Sequence, residues 1–352
     1  MRVTHVMLSG GFGGAERYFV DLCNALARRG HGVQAICQRG SAAHERLVGA
    51  PGVALTPIRV MGAWDPLARR AIGRALTAFR PHLVHAHLAR GAWLGGQAAH
   101  RLGLPVMTKL HNYVKLKYYR HVDWFNVTTA SQRDYLRGKG IDPARIRVIP
   151  NFSSLPPVTT RPAAGRPALN WLSYGRLVHK KGFDLLLQAF SVLRETHPGA
   201  RLCIGGDGEE RAHLRTRARE LGLADHVTFP GWISDVPGAL DRADMFILPS
   251  RDEPFGIVVL EAMARGVPIV STRTQGPVEI LDDATAWLCR VNDAGDLALG
   301  MQRAAASAGE RDLRAERALA RYRDVYHEDA VLPALMDLYR QITETGADSV
   351  PP

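Results

Sequence analysis

The stretch Arg251-Asp-Glu-Pro-Phe-Gly-Ile-Val-Val-Leu-Glu-Ala-Met-Ala-Arg-Gly-Val-Pro-Ile-Val270 decides how the chain is read. An apolar run, Met245-Phe-Ile-Leu248, precedes it and stops at Pro249-Ser250, as a buried strand does. A loop holding Glu253, Pro254 and Gly256 follows, then a helical pattern from Ile257 to about Arg265 that Gly266-Val-Pro268 ends. Strand, loop, helix and a second strand (Ile269-Val270) place Glu253 at a strand's carboxyl end, the edge where open α/β sheets bind ligands. The backbone N–H groups of Phe255, Gly256 and Ile257 fall at the helix start, where free donors and the helix dipole favour a phosphate. Glu261 lies two turns further on among Val258, Val259, Leu260 and Met263, where a carboxylate is costly without a partner. Two carboxylates that accept from hydroxyls, flanking a phosphate-binding helix end, suit a ligand with hydroxyls at both ends and phosphates between them. A nucleotide sugar has that form.

Working outward, the 352 residues suffice for two domains, each able to bury its own core. The 46% hydrophobic and 22% charged content is that of a globular protein, and no apolar run approaches the roughly 20 residues that span a bilayer. Met1–Leu8 reads as a first strand rather than a secretory signal. Cys23, Cys37, Cys203 and Cys289 are scattered, so neither a zinc ribbon nor a disulfide framework is expected, in keeping with a reducing cytoplasm. Charge is uneven: residues 1–165 carry 23 Lys+Arg against 7 Asp+Glu, and the rest 22 against 27. A basic first half suits an anionic partner: nucleic acid, an acidic lipid surface or an anionic glycan. The Arg-rich usage of a GC-rich genome is the competing explanation.

Both halves alternate strand and helix with short connections, which means parallel, doubly wound sheets. In the first half, Val3–Leu8 runs into Ser9-Gly-Gly-Phe-Gly-Gly-Ala-Glu16 and a helix, a loop in which glycine lets backbone approach a ligand. It is not a G-x-G-x-x-G dinucleotide fingerprint. His85 and His87 share one face of a strand, and with no third ligand evident a strand-end role is favoured over a metal. His111 follows the strand Val106–Leu110 at its carboxyl end. Lys115, Lys117, Tyr118, Tyr119 and Arg120, with Trp124 and Phe125 beyond, interleave cations and aromatics. That mixture suits an anionic membrane interface or a phosphorylated acceptor glycan. No nucleic-acid-binding motif accompanies it, so nucleic acid is not expected as a partner.

The prolines from Pro150 to Pro167 mark a linker. Domains are expected over 1–160 and 166–329, with a final helix from about 330 rejoining the first and the ending Gly346–Pro352 frayed. In the second half, Gly175-Arg176…Lys180-Lys181-Gly182 sits between a strand and a helix, with cations placed to neutralise a diphosphate. Leu202–Gly208, which contains Gly206, is a strand running into a glycine turn. Trp232 follows Val227-Thr-Phe-Pro-Gly231 and either stacks on a ring or packs.

Glu253-x7-Glu261 enclosing Pro-Phe-Gly resembles the signature of glycosyltransferase family 4, retaining enzymes of the two-domain GT-B fold, in which two Rossmann-like domains face a cleft and a C-terminal helix crosses back. Gly-Arg…Lys-Gly, Gly206, the Val227–Ile233 segment, Gln275–Ile280 and Gly13-Gly14 before Glu16 resemble further elements of that family, in its order. Val-Ile-Pro-Asn151 matches too, with Phe152 where the family usually has glycine, a departure expected to alter the hinge or narrow the cleft. The resemblance implies that Glu253 holds sugar hydroxyls and Glu261 the ribose diol. It implies that Arg176 and Lys181 stabilise the leaving diphosphate, that Gly13, Gly14 and His111 border the sugar, and that Gly206 and Trp232 line the nucleotide. A UDP-hexose is the expected donor, with no metal and no separate cofactor. The acceptor is expected to be a lipopolysaccharide or other surface glycan, met at the cytoplasmic face of the inner membrane. A nucleotide-sugar 2-epimerase on the same fold and a non-catalytic nucleotide-binding, membrane-docking module are the alternatives.

Overall fold

The structure, a computed structural model, describes residues 1–11, 13–62, 64–159 and 165–347, with side chains to residue 345. The chain divides into two compact units: residues 1–154 together with the segment from Glu328 onward, and Leu155–His327. Pro162, one of the linker prolines, and the end of the chain from 348, expected to fray, lie outside the described residues.

Unit 1 holds β1 (Arg2–Met7), β2 (Gly32–Gln38), β3 (Val53–Ile58), β4 (Leu83–His87), β5 (Val106–Lys109), β6 (Trp124–Val127) and β7 (Ile146–Val148), all parallel, in the order β3-β2-β1-β4-β5-β6-β7. The central strands are buried along nearly their whole length, as strands covered on both faces must be. The covering helices are α1 (Gly14–Arg28), α2 (Ala42–Leu47), α3 (Pro66–Phe79), α4 (Leu88–His100) and α5 (Ala130–Gly138). Their starts follow local chemistry. Asp65 accepts from the N–H groups of Leu67 and Ala68 (2.9 Å each) ahead of Pro66, and Thr129 Oγ1 accepts from Gln132 N.

Unit 2 holds β8 (Asn170–Tyr174), β9 (Arg201–Gly205), β10 (Val227–Thr228), β11 (Met245–Leu248), β12 (Ile269–Thr272) and β13 (Trp287–Cys289), parallel and ordered β10-β9-β8-β11-β12-β13. Around it lie α6 (Phe183–Thr196), α7 (Arg211–Glu220), α8 (Val236–Asp241), α9 (Ile257–Ala264), α10 (Pro277–Ile280), α11 (Ala294–Ala306) and α12 (Ala308–Arg321). One face of this sheet buries Trp171, Leu186, Phe190 and Met301, and the other Phe246, Leu260, Met263 and Tyr322.

After a turn of π-helix at Tyr322–Tyr326, α13 (Glu328–Ala347) belongs to unit 1. Its first residue, Glu328, accepts from the guanidinium groups of Arg28 and Arg29 at 2.9–3.0 Å, and Tyr339 lies fully buried beside β4. Both units are α/β, Rossmann-like parallel sheets. No helix among the described residues is long and apolar enough to cross a membrane.

Candidate active site

In unit 2 the chain leaves β8 for β9 and β10 on one side, then returns through β11 on the other. The two loops after β8 and β11 therefore part at one switch point, where open α/β sheets form their ligand crevice. They are tied together through the backbone: Arg251 N and Asp252 N both donate to Lys180 O, at 2.8 and 3.2 Å. Gly182, at φ +67°, lies so near β11 that a Cβ there would stand 2.1 Å from Pro249 O. Arg251 anchors the junction as well, donating to both Asp184 oxygens (2.6 and 2.7 Å). Burial raises the Asp184 carboxyl, but the Arg251 guanidinium outweighs it and holds that group below its usual value.

On this frame Lys181 Nζ meets Glu253 Oε2, with both side chains largely shielded from solvent. Lys180 turns to the surface, 3.8 Å from Asp252. Arg176 is exposed and has no acidic partner among the described residues. Gly256, at φ +100°, is the N-cap of α9, and the N–H groups of Phe255, Gly256 and Ile257 find no acceptor among the described residues. The Phe255 ring turns inward, against Tyr326. Glu261 is 1% exposed, and Tyr174 OH, from the last residue of β8, donates to its Oε2 at 2.6 Å. Gly206 completes this edge: its N–H donates to Gly231 O at 2.6 Å, and a Cβ there would sit 1.8 Å from Gly175 O. Trp232, next in the chain, is half exposed.

Unit 1 has its own switch point, between β1 and β4. Gly13 is the N-cap of α1 and donates to Glu16 Oε2 (2.9 Å), while Gly14 is exposed at the helix start. His111 follows β5, its Nε2 3.4 Å from His87 Nδ1, and burial with the Lys109 charge nearby pushes it down to about 3. His5, His85 and His87 each offer a nitrogen within 4.8 Å of the others, so a third potential ligand does exist, on β1. Among the described residues this is the cluster able to hold a metal, and it lies within unit 1. Phe152 is buried against the Tyr18 ring within unit 1.

One expectation fails outright. Tyr119 is 4% exposed, packed near Phe125 in the unit 1 core, so it presents nothing to a lipid or an acceptor. The 3-10 turn Leu116–Tyr118 rotates Tyr119, Val122 and Phe125 inward. Lys115, Lys117 and Arg120 stay exposed, and Tyr118 is half buried beneath the Lys117 ammonium.

Residues 169–320 match the family described as Glycosyl transferases group 1, and residues 12–155 match Glycosyltransferase Family 4. The lipopolysaccharide core biosynthesis glycosyltransferase LpsE of Rhizobium meliloti is 31% identical over 96% of this chain and 98% of its own length. LpsD of the same organism is 30% identical over 96% and 98%. This chain belongs to glycosyltransferase family 4. Among solved structures, HepE of Anabaena, in complex with UDP and glucose, superposes with a TM-score of 0.80 at 20% identity, covering 99% of this chain and 100% of that one. The family 4 glycosyltransferase accordingly has the GT-B fold.

Several residues that shape the site of this glycosyltransferase escaped the sequence. Tyr174 ends a strand like any aromatic, and only the three-dimensional pairing of β8 with β11 brings it to Glu261. Arg251 and Asp184 are 67 residues apart. His5 reaches His85 through strand register alone. The exposure of Met61 (89%), Trp64 (73%) and Leu67 (70%) has no local signal either.

Proposed function

We propose that this glycosyltransferase moves a hexose from a UDP-sugar to a glycan acceptor of lipopolysaccharide or another surface polysaccharide, with retention, forming an α-linkage. The observation that carries this reading is the Lys181–Glu253 contact beside the exposed Arg176 and the open N–H groups of α9. Together these offer cations and backbone donors for a diphosphate next to a carboxylate for sugar hydroxyls. Arg176 and Lys181 stabilise the departing UDP, Glu253 holds sugar hydroxyls, Glu261 takes the ribose diol, and His111 contacts the transferred sugar. Gly206 and Trp232 border the nucleotide, and Gly13 and Gly14 border the sugar. The acceptor oxygen bonds to the anomeric carbon as the bond to the β-phosphate oxygen breaks, on the same face, and the hydroxyl proton passes to that phosphate. Positioning and charge stabilisation supply the rate, with side-chain cations in place of a divalent ion.

The LpsE and LpsD relatives, named for lipopolysaccharide core biosynthesis, support that acceptor class. An interfacial site at the cytoplasmic face of the inner membrane is supported by exposed Met61, Trp64 and Leu67 beside exposed Arg59, Arg70 and Arg74. Helix α4 packs against both α3 and the Leu116–Tyr118 turn, and Lys115, Lys117 and Arg120 around that turn are exposed.

The test is transfer from radiolabelled UDP-hexoses to truncated lipopolysaccharide cores, with the anomeric coupling of the product read by NMR. An α-product formed undiminished in EDTA is expected. A β-linked product, dependence on a divalent ion, or release of a 2-epimer without acceptor would overturn the proposal.

A further inference from the structure

Unit 1 buries a chain of imidazoles behind His111. The β1/β4 register sets His5 opposite His85, and His87, two residues on, shares their face. His111 Nε2 lies 3.4 Å from His87 Nδ1, and His87 Nε2 lies 3.4 Å from His5 Nδ1. Both nitrogens of His87 are thus engaged, and the chain ends at His5 Nε2, which has no hydrogen-bond partner among the described residues. His85 stacks on His87 with ring centroids 4.4 Å apart, its own Nδ1 2.6 Å from Tyr339 OH.

A neutral imidazole has one N–H and one acceptor nitrogen. Burial keeps these rings neutral: His5 is pushed down to about 3, and His85 and His87 well below the usual range. Lys109 Nζ, on the neighbouring strand, donates to Ile149 O (2.5 Å) and Pro150 O (3.3 Å), and burial pushes that amine well below its ordinary value as well. The chain therefore runs in one of two directions. With protons pointing away from His111, the His5 Nε2–H would be a buried donor with no acceptor. With protons pointing toward His111, only a lone pair is left there and no N–H is stranded.

We propose that His5 and His87 are positioning residues that hold His111 as the Nδ1–H tautomer, so that it offers its ligand a hydrogen-bond donor. His5 Nδ1–H donates to His87 Nε2, His87 Nδ1–H donates to His111 Nε2, and His111 Nδ1–H remains for the ligand oxygen. The identity of that ligand as a UDP-sugar rests on the function proposed above, whereas the tautomer does not.

The experiment is a long-range 1H–15N correlation on the full chain with 15N-labelled histidine, beside His5→Leu and His5→Asn. The asparagine amide places an N–H near the position of Nδ1. The expected spectrum shows His111 as Nδ1–H in the parent and in His5→Asn, and a mixture in His5→Leu. Turnover with the UDP-sugar should fall about tenfold in His5→Leu and stay within about twofold in His5→Asn. UDP affinity by calorimetry, which reads unit 2, should not move. An Nε2–H His111 in the parent, or one unaltered in a folded His5→Leu, overturns the proposal. So does stoichiometric zinc on His5, His85 and His87, which would make them ligands instead of a hydrogen-bonded chain. If His5→Leu fails to fold, the parent spectrum alone decides. If the parent does not bind UDP, the donor assignment fails while the spectrum still judges the histidines.

Discussion

The Lys181 ammonium and the Glu253 carboxylate are in contact at the β8/β11 switch point, each mostly shielded from water. Removing one partner strands a charge, so Lys181→Met or Glu253→Gln should each lower unit 2 stability by about 3 kcal/mol. The double variant should recover most of that in urea denaturation. Transfer activity should not recover, falling about a hundredfold or more in all three. Equal loss of stability in single and double variants would show that the contact is not an energetic pair.

Tyr174→Phe removes the hydroxyl that donates to Glu261. A loss of about 1–2 kcal/mol in unfolding free energy is expected. If Glu261 holds the ribose, KM for the donor should rise with little change in kcat, the mark of lost uniform binding.

Arg251 and Asp184 join the two loops by a bidentate pair. The Asp184 carboxyl lies below its ordinary 3.8 in the folded chain, so the pair contributes stability that is present above that value and lost as pH falls through the folded one. Asp184→Asn should therefore destabilise at pH 7 by about 1–2 kcal/mol, with the difference shrinking toward pH 3. Arg251→Lys should cost nearly as much, since lysine cannot make the fork.

The histidines of unit 1 act in the same direction for a different reason. His5, His85 and His87 stay neutral when folded but take protons near 6.5 once exposed by unfolding. The unfolded state binds more protons below that value, so stability drops on acidification. With His111, which burial also pushes down to about 3, four such groups give a limiting slope of about 5 kcal/mol per pH unit. Urea midpoints at pH 7, 6 and 5 should fall progressively, and a flat profile would mean that these rings are solvated.

Met61 and Trp64 are the most exposed large apolar residues of unit 1 among those described. Met61→Ser with Trp64→Ser should weaken sedimentation with phosphatidylglycerol vesicles about tenfold or more while leaving UDP affinity unchanged. Unchanged vesicle binding would remove the support for a membrane contact at this face.

Local chemistry made much of this legible. Met245–Leu248, the Pro-Gly loop and Ile257–Ala264 read directly from apolar runs and breakers, because those signals act within a few residues. Glu253 and Lys181 carry recognisable loop motifs, yet their contact spans 72 positions and depends on strand order. Tyr119 misled because a run of cations and aromatics has no periodicity that tells which rings a 3-10 turn buries. His5 was invisible beside His85 and His87, since register between distant strands leaves no trace in spacing.

The return of α13 to unit 1 has a consequence for biogenesis. Residues 1–154 leave the ribosome well ahead of α13 and must wait for it before Tyr339 can dock beside His85 and Glu328 can reach Arg28 and Arg29. Unit 2, contiguous from Leu155 to His327, has no such delay. A nascent chain stalled or truncated before Glu328 would thus carry a finished unit 2 and an unclosed unit 1, the portion that chaperones and proteases would meet.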